Sequence, residues 1–303
     1  MAEHGKLQTN LEYWLARIVI GFLAALPLSL AIRLGSKIGQ LGGWMGKLRR
    51  TGGRNLELAF PELSADEREK LLRGSFKNLG RLLGVFSHFR DSTDTLREKI
   101  ELRGMEHIEA ALREKRGIIA FTGHVGGWEL SSFAPSLYGQ PFSFLVRRID
   151  NPKIEALVEK YRVALGNSTI DKRLAAREMV RILRNGEMMG ILVDLNALDR
   201  EAIFVDFFGV KAATTFVVAK LAVRTGAAIV PIFSPWDEAS QKFVVEVGAP
   251  LQFDLTGDEA EDTRRVTQLL TNVIEDRIRR YPDQWLWVHR RWKTRPPGEP
   301  AIY

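Results

Sequence analysis

The segment Gly123-His124-Val125-Gly126-Gly127-Trp128-Glu129 sets an imidazole and a carboxylate five positions apart on a glycine-rich stretch. An imidazole changes charge near neutral pH, so His124 is suited to take a proton from a weak nucleophile. A carboxylate facing the ring fixes its tautomer and stabilises the cation that forms. Glu129 is spaced to do this from the first turn of a helix, as H-x4-E. Gly126 and Gly127 let backbone and substrate approach closely. The chemistry on offer is general-base catalysis. The same spacing also describes an ordinary surface His–Glu pair, so the surrounding elements carry weight.

The run Gly117-Ile118-Ile119-Ala120-Phe121 leads into the turn and reads as a short buried strand, with helix from Trp128 onward. Strand-to-helix turns are where α/β folds expose reactive side chains. Ser64 and Glu67 form a capping-box pattern that opens a helix running to about Phe89. From about residue 100, strand-length apolar runs alternate with helical periods. Strands are expected over 117–121, 142–146, 188–193, 204–208, 227–233 and 242–247. Helices are expected over 105–115, 128–137, 152–165, 172–184, 213–225 and 262–280. The alternation predicts an α/β domain over residues 56–303, with a mostly parallel sheet flanked by helices.

Residues 1–55 read differently. The start, Met1 to Lys6, is polar and mixed in charge, with no evident cleavable secretory signal. No charge appears from Ile18 to Ile32, between Arg17 and Arg33. That run falls short of the roughly 20 residues a simple span needs. Leu11 to Leu15 extend it, with Tyr13 and Trp14 as interfacial aromatics, and Pro27 kinks it. A hydrophobic membrane-anchor helix is expected here, spanning the bilayer or lying in its interface. The cations that follow, Arg33, Lys37, Lys47, Arg49, Arg50 and Arg54, set the rest of the chain on the cytoplasmic side if the helix spans. Glycines at 39, 42, 43 and 46 mark a small-residue helix, which Gly52-Gly53 is expected to break.

Composition narrows the function. At 303 residues and 45% apolar, the chain has the make-up of a globular protein with a sizeable core. A net charge of +7 suits nucleic acid, an anionic lipid surface or an acidic substrate. With no cysteine, a disulfide framework, a thiolate metal site and a Cys nucleophile are excluded. The five histidines, at 4, 88, 107, 124 and 289, are too scattered for a local zinc motif. G-x-G-x-x-G, G-x-x-x-x-G-K-[ST] and G-x-S-x-G are all missing, which counts against a nucleotide cofactor and a serine acyl-enzyme.

The C-terminal block Tyr281-Pro282-Asp283-Gln284-Trp285-Leu286-Trp287-Val288-His289-Arg290-Arg291-Trp292-Lys293 mixes tryptophans with cations, as suits an interface between apolar and anionic groups. Taken with His124 and Glu129, it resembles the bacterial lipid A biosynthesis acyltransferases. These are lauroyl and myristoyl transferases within the lysophospholipid acyltransferase superfamily. Further blocks match in order: Arg147 ahead of Asn151-Pro152, Asp194 at a strand end, Phe207-Phe208-Gly209 with Thr214, and Arg224-Thr225-Gly226-Ala227 with Val230-Pro231. The chain departs from the family at Gly127, often Asn, and at Leu195, often Gln. It also departs at Thr215-Phe216-Val217, where Pro and Gly are common. These departures are expected to line the substrate cleft.

The resemblance implies transfer of a fatty acyl group from an acyl carrier protein or coenzyme A thioester to a hydroxyl of a membrane lipid, a lipid A precursor or related glycolipid. His124 would be the base, with Glu129 or Asp194 orienting it. The N–H groups of Gly126 and Gly127, or Arg147, would stabilise the oxyanion, and Arg147 has phosphate binding as a second role. Phe207, Phe208 and Gly209 would help hold the acyl chain, and Arg290, Arg291 and Lys293 would meet anionic headgroups. No metal or organic cofactor is implied, because the donor arrives activated. The setting implied is the cytoplasmic face of a bacterial inner membrane, with no nucleic-acid partner. Competing readings are a lysophospholipid or other glycolipid acyltransferase, a basic nucleic-acid-binding protein, and a membrane scaffold without catalysis.

Overall fold

A computed structural model describes residues 5–171, 175–198 and 202–303. The N-terminal helices are α1 (Lys6–Ala24), α2 (Leu28–Leu41), α3 (Gly46–Ala59), α4 (Ala65–Phe86) and α5 (Thr93–Arg97). Strand β1 (Ile100–Arg103) and helix α6 (Met105–Arg113) precede β2 (Ile118–Thr122), α7 (Trp128–Leu137), β3 (Ser143–Val146) and α8 (Pro152–Arg162). Next come β4 (Ser168–Asp171), α9 (Ala175–Arg184), β5 (Met188–Leu192), β6 (Ala202–Phe207), β7 (Val210–Thr215) and α10 (Val217–Thr225). The chain closes with β8 (Ala228–Phe233), β9 (Trp236–Asp237), β10 (Lys242–Val247) and α11 (Glu259–Arg280).

The expected α/β architecture is present. Strands run β1-β10-β8-β2-β5-β3-β4 across the central sheet. The five from β8 to β4 are mutually parallel, and β10 joins β8 antiparallel. Both faces are covered. In β2, Ile119 and Phe121 pack with α10 and α11, while Ile118 and Ala120 pack with α6 and α7. Burial on both faces explains why β2 is an unbroken apolar run and not an alternating one.

Several elements differ from their sequence expectation. The strands β1 and β4, short and partly polar, escaped notice. The helix expected from residue 213 starts at Val217, because Val210–Thr215 pairs antiparallel with β6. The helix expected from residue 172 is described from Ala175, and its expected start lies outside the described residues, as do residues 1–4. Gly52-Gly53 does not break α3. A Cβ on Gly52 would stand 2.5 Å from a Leu72 methyl, so this glycine serves close helix packing. The boundary expected between residues 55 and 56 falls inside α3.

Among the described residues no helix is long and apolar enough to cross a membrane, so the spanning form of the anchor is corrected. Pro27 has no N–H with which to continue α1 and instead caps α2. The uncharged run is thereby divided between two helices. They have different fates. The glycines of α2 close on α4: Cβ atoms on Gly35 and Gly39 would lie 2.3 and 2.2 Å from the carbonyl oxygens of Gly80 and Phe76. In α1 only Ile20 and Leu23 are buried, while Leu7, Leu11, Trp14, Leu15, Ile18 and Phe22 stay exposed along one helical face.

Candidate active site

Adjacent parallel strands deliver the site. His124 lies two residues beyond β2, Asp194 two beyond β5, and Arg147 directly after β3. Crevices at the carboxyl ends of such strands are the usual ligand sites of parallel sheets. Here a cleft of about 310 Å³ is lined by His124, Glu129, Arg147, Arg162, Asn196 and His289, with apolar walls that include Trp128, Phe144 and Ile191.

Asp194 is the partner of His124. Its Oδ1 lies 2.7 Å from Nδ1 of the ring, and its Oδ2 accepts the His124 backbone N–H at 2.7 Å. The indole N–H of Trp285 donates to the same Oδ2 at 2.7 Å. The aspartate side chain is fully buried, whereas that of His124 keeps 15% exposure at the cleft. Burial alone would raise the Asp194 pKa. The His124 charge, the bonds from His124 and Trp285 and the backbone N–H outweigh it and hold the pKa at about 2. With Nδ1–H donating a hydrogen bond to this carboxylate, Nε2 is the ring nitrogen left to accept a proton.

Glu129 does not touch the ring. Arg162 takes both its oxygens, Nε to Oε2 at 3.0 Å and Nη2 to Oε1 at 2.7 Å. The pair forms one wall of the cleft, and the buried Nη1 of Arg162 has no partner.

The glycine turn is fully engaged. Gly126 N–H donates to the Gln284 carbonyl at 3.0 Å and Gly127 N–H to the Ser234 carbonyl at 2.7 Å. The Gly126 carbonyl accepts Asn78 Nδ2 at 2.8 Å. Neither N–H is free for an oxyanion, which corrects that expectation. Gly126 is needed for its conformation: φ is +65°, and a Cβ would meet the Ser234 carbonyl at 2.1 Å.

This geometry sits in a chain that matches the bacterial lipid A biosynthesis acyltransferase family model over residues 2–294. The chain belongs to that family. It is similar to the lipid A biosynthesis lauroyltransferase of Escherichia coli K12, 33% identical over 300 residues that cover 96% of this chain and 95% of that protein. The palmitoleoyltransferase of the same strain is 29% identical over 300 residues, with the same coverage. Its myristoyltransferase is 23% identical over 292 residues, covering 96% of this chain and 89% of that protein. The protein is therefore an acyltransferase.

Other expected residues of the acyltransferase fall inside and outside the cleft. Arg147 is exposed and lines it. So do Leu195, Thr215 and Val217 at the family departures, while Gly127 and Phe216 are not among its lining. Phe208 and Gly209 are corrected. With φ of +53° and +72° they form the two-residue turn joining β6 to β7. Phe208 packs edge-on against Phe60 and Phe207, away from the cleft.

Arg291 is corrected most firmly. It is 1% exposed, donates to the Ala213 carbonyl at 2.7 Å and to the Thr214 hydroxyl, and lies 5.0 Å over the Phe207 ring. No headgroup reaches it. Arg290 and Lys293 are exposed but do not line the cleft. Trp285, Trp287 and Trp292 are fully buried core residues and not interfacial ones.

Four contributors were missed. Trp285 orients Asp194, and its signal was present: a buried indole N–H needs an acceptor. His289 lines the cleft, and burial lowers its pKa to about 4, with nearby Arg147 and Arg291 adding to the effect. Its Nε2 accepts the Asn196 N–H at 3.2 Å, so the neutral ring carries its proton on Nδ1. Arg162 lies 33 positions from its partner Glu129, and no local pattern announces it. Gln284 holds the glycine turn from 158 positions away and clamps Trp236 with its amide.

Proposed function

We propose that this acyltransferase moves a fatty acyl group from a thioester, carried by acyl carrier protein or coenzyme A, to a hydroxyl of a lipid A precursor or related glycolipid at the cytoplasmic face of the inner membrane. The observation that carries the reading is the 2.7 Å contact of His124 Nδ1 with buried Asp194 at the mouth of an apolar-walled cleft.

In this mechanism Nε2 of His124 takes the acceptor hydroxyl proton as the oxygen attacks the thioester carbonyl. Asp194 stabilises the imidazolium and holds the ring. Arg147, the cleft cation without a carboxylate partner among the described residues, stabilises the tetrahedral oxyanion, because the glycine N–H groups are occupied. The C–S bond then breaks, the imidazolium returns the proton to the departing thiolate, and an ester remains. Glu129 fixes Arg162 in the cleft wall and takes no proton. The relatives are named for lauroyl, palmitoleoyl and myristoyl groups, which supports a fatty acyl chain between lauroyl and palmitoleoyl in length.

Membrane association is assigned to α1. Its exposed apolar face has the form of a helix lying in the lipid interface.

The test uses purified full-length protein, a lipid A precursor and an acyl thioester, with the product read by intact mass. The wild type should add one acyl mass, and His124→Ala should lower turnover at least about 100-fold. Should His124→Ala keep more than about half the rate, His124 is not the base.

A further inference from the structure

A second cleft, of about 340 Å³, opens between α1 and α8. Arg17 comes from α1, Lys153 and Lys160 from α8, and Arg90 from the segment after α4. No carboxylate is among the lining residues. Arg90 and Lys160 also line an adjoining cleft together with Asp91, which lies 3.9 Å from His88. All four cations are exposed, and neither Arg90 nor Lys160 has an ion-pair partner among the described residues. Cations gathered without an ion pair among the described residues repel each other, so the cluster favours an anion.

Aromatic rings hold the cations in place. Arg17 lies 5.4 Å over Trp14, Lys153 5.8 Å over Tyr13, and Arg90 5.9 Å over Tyr161. Tyr161 itself stacks on Phe86 at 5.2 Å. The helix pair is fixed at the start of α8, where Asn151 caps the helix and donates to the Thr9 carbonyl and Glu12 of α1 at 3.0 Å each. The anion subsite is thus built on two docked helices and not on loose surface side chains.

The neighbouring surface says what kind of anion fits. The exposed apolar face of α1, from Leu7 through Phe22, shares a helix with Arg17. At 100° per residue Arg17 lies on the flank of that face. An acidic protein would match the cations but leave the apolar face in water. A phospholipid matches both, with tails against α1 and phosphate among the cations.

We propose that the α1–α8 cleft binds the phosphate of an anionic phospholipid, apart from the catalytic cleft, and so sets how the enzyme sits on the leaflet. This rests on the membrane role assigned to α1. No residue of this subsite lines the catalytic cleft, but α8 also carries Arg162, which does. Seating α8 on the headgroup layer would therefore orient the catalytic mouth toward the lipid.

The experiment is cosedimentation of full-length protein with vesicles of phosphatidylcholine alone and of phosphatidylcholine doped with phosphatidylglycerol. Arg17→Gln, Arg90→Gln and Lys160→Gln are combined in one variant. A control variant combines Arg113→Gln, Arg116→Gln and Arg184→Gln, which are exposed near the opposite ends of β2 and β5. At about fivefold per cation, the cleft variant should bind doped vesicles about 100-fold more weakly than wild type, with neutral-vesicle binding unchanged. The control should change little, because distant surface charges are screened. Equal losses in both variants would mean diffuse attraction and overturn the subsite. If inorganic phosphate binds the wild type and abolishes the difference, the site takes a free ion and the lipid assignment falls. Leu11→Ser with Leu15→Ser should weaken binding to both kinds of vesicle. A wild type that binds neither kind overturns the membrane role of α1 itself, which is a different result from a subsite failure. Circular dichroism and acyl transfer in detergent micelles, unchanged in the cleft variant, establish that it is folded.

Discussion

Burial pushes the Asp194 pKa up, yet the His124 and Trp285 contacts bring it down to about 2 from an ordinary 3.8. The carboxylate is therefore charged at any pH where an acyltransferase works, and it can hold an imidazolium through the reaction. Its contribution to stability is present above about pH 4 and is lost as pH falls through about 2. His289 shifts in the same direction for a different reason, since burial disfavours its charged form. The unfolded chain takes up a proton there near pH 6.5, while burial makes the folded chain refuse it until about pH 4. Unfolding free energy should thus fall as pH drops through that window, by on the order of 3 kcal/mol. Urea titrations of wild type and His289→Gln at pH 7 and pH 4 check this, and a loss of the same size in the variant would contradict it. The sequence announced His124 through its turn. It left the orienting acid open between Glu129 and Asp194, because Asp194 reaches the ring across 70 positions and only the fold brings them together. Arg291 misled for the same reason: a cation in a basic block looks solvent-facing, and only its pairing with the Ala213 carbonyl shows it to be core.

At the scale of elements, buried strands and capped helices were legible because their signals are local. The Ser64–Glu67 capping box, the helix start at Pro152 and the apolar run of β2 all form where the pattern puts them. The β6–β7 hairpin was obscured, since Ala212 and Ala213 suit a helix as readily as a strand. Phe208-Gly209 carried the real signal, a turn with two positive φ angles. Arg291 fastens β7 to the C-terminal block. Arg291→Ala removes charged hydrogen bonds to Ala213 and Thr214 and leaves a void beside Phe207. It should lower unfolding free energy by about 3 kcal/mol or more and affect phosphorylated and unphosphorylated acceptors alike. Denaturant midpoints and paired acceptor assays check both parts. A stable variant with a selective rise in KM for the phosphorylated acceptor would return Arg291 to a headgroup role. The glycine-rich faces of α2 and α4 pack the two helices closely, so α2 belongs to the core.

Across the whole molecule, three parallel strand ends converge on the catalytic cleft, the C-terminal block closes over Asp194 from behind, and α1 offers an apolar face beside a cationic cleft. The net charge of +7 is consistent with work at an anionic surface. In the proposed mechanism two acids divide the labour: Asp194 holds the His124 ring, and Glu129 holds Arg162 in the cleft wall. The decisive measurement is the rate of acyl transfer to a lipid A precursor by purified full-length Asp194→Asn and Glu129→Gln proteins, each assayed across pH beside wild type. Asp194→Asn should lose at least about 100-fold in kcat at neutral pH and alter the limb of the pH profile that reports the base. Glu129→Gln should keep that limb in place and lose activity through substrate binding, because its partner is Arg162. If Asp194→Asn retains more than half the wild-type rate while Glu129→Gln shifts the limb, the H-x4-E carboxylate and not Asp194 orients His124.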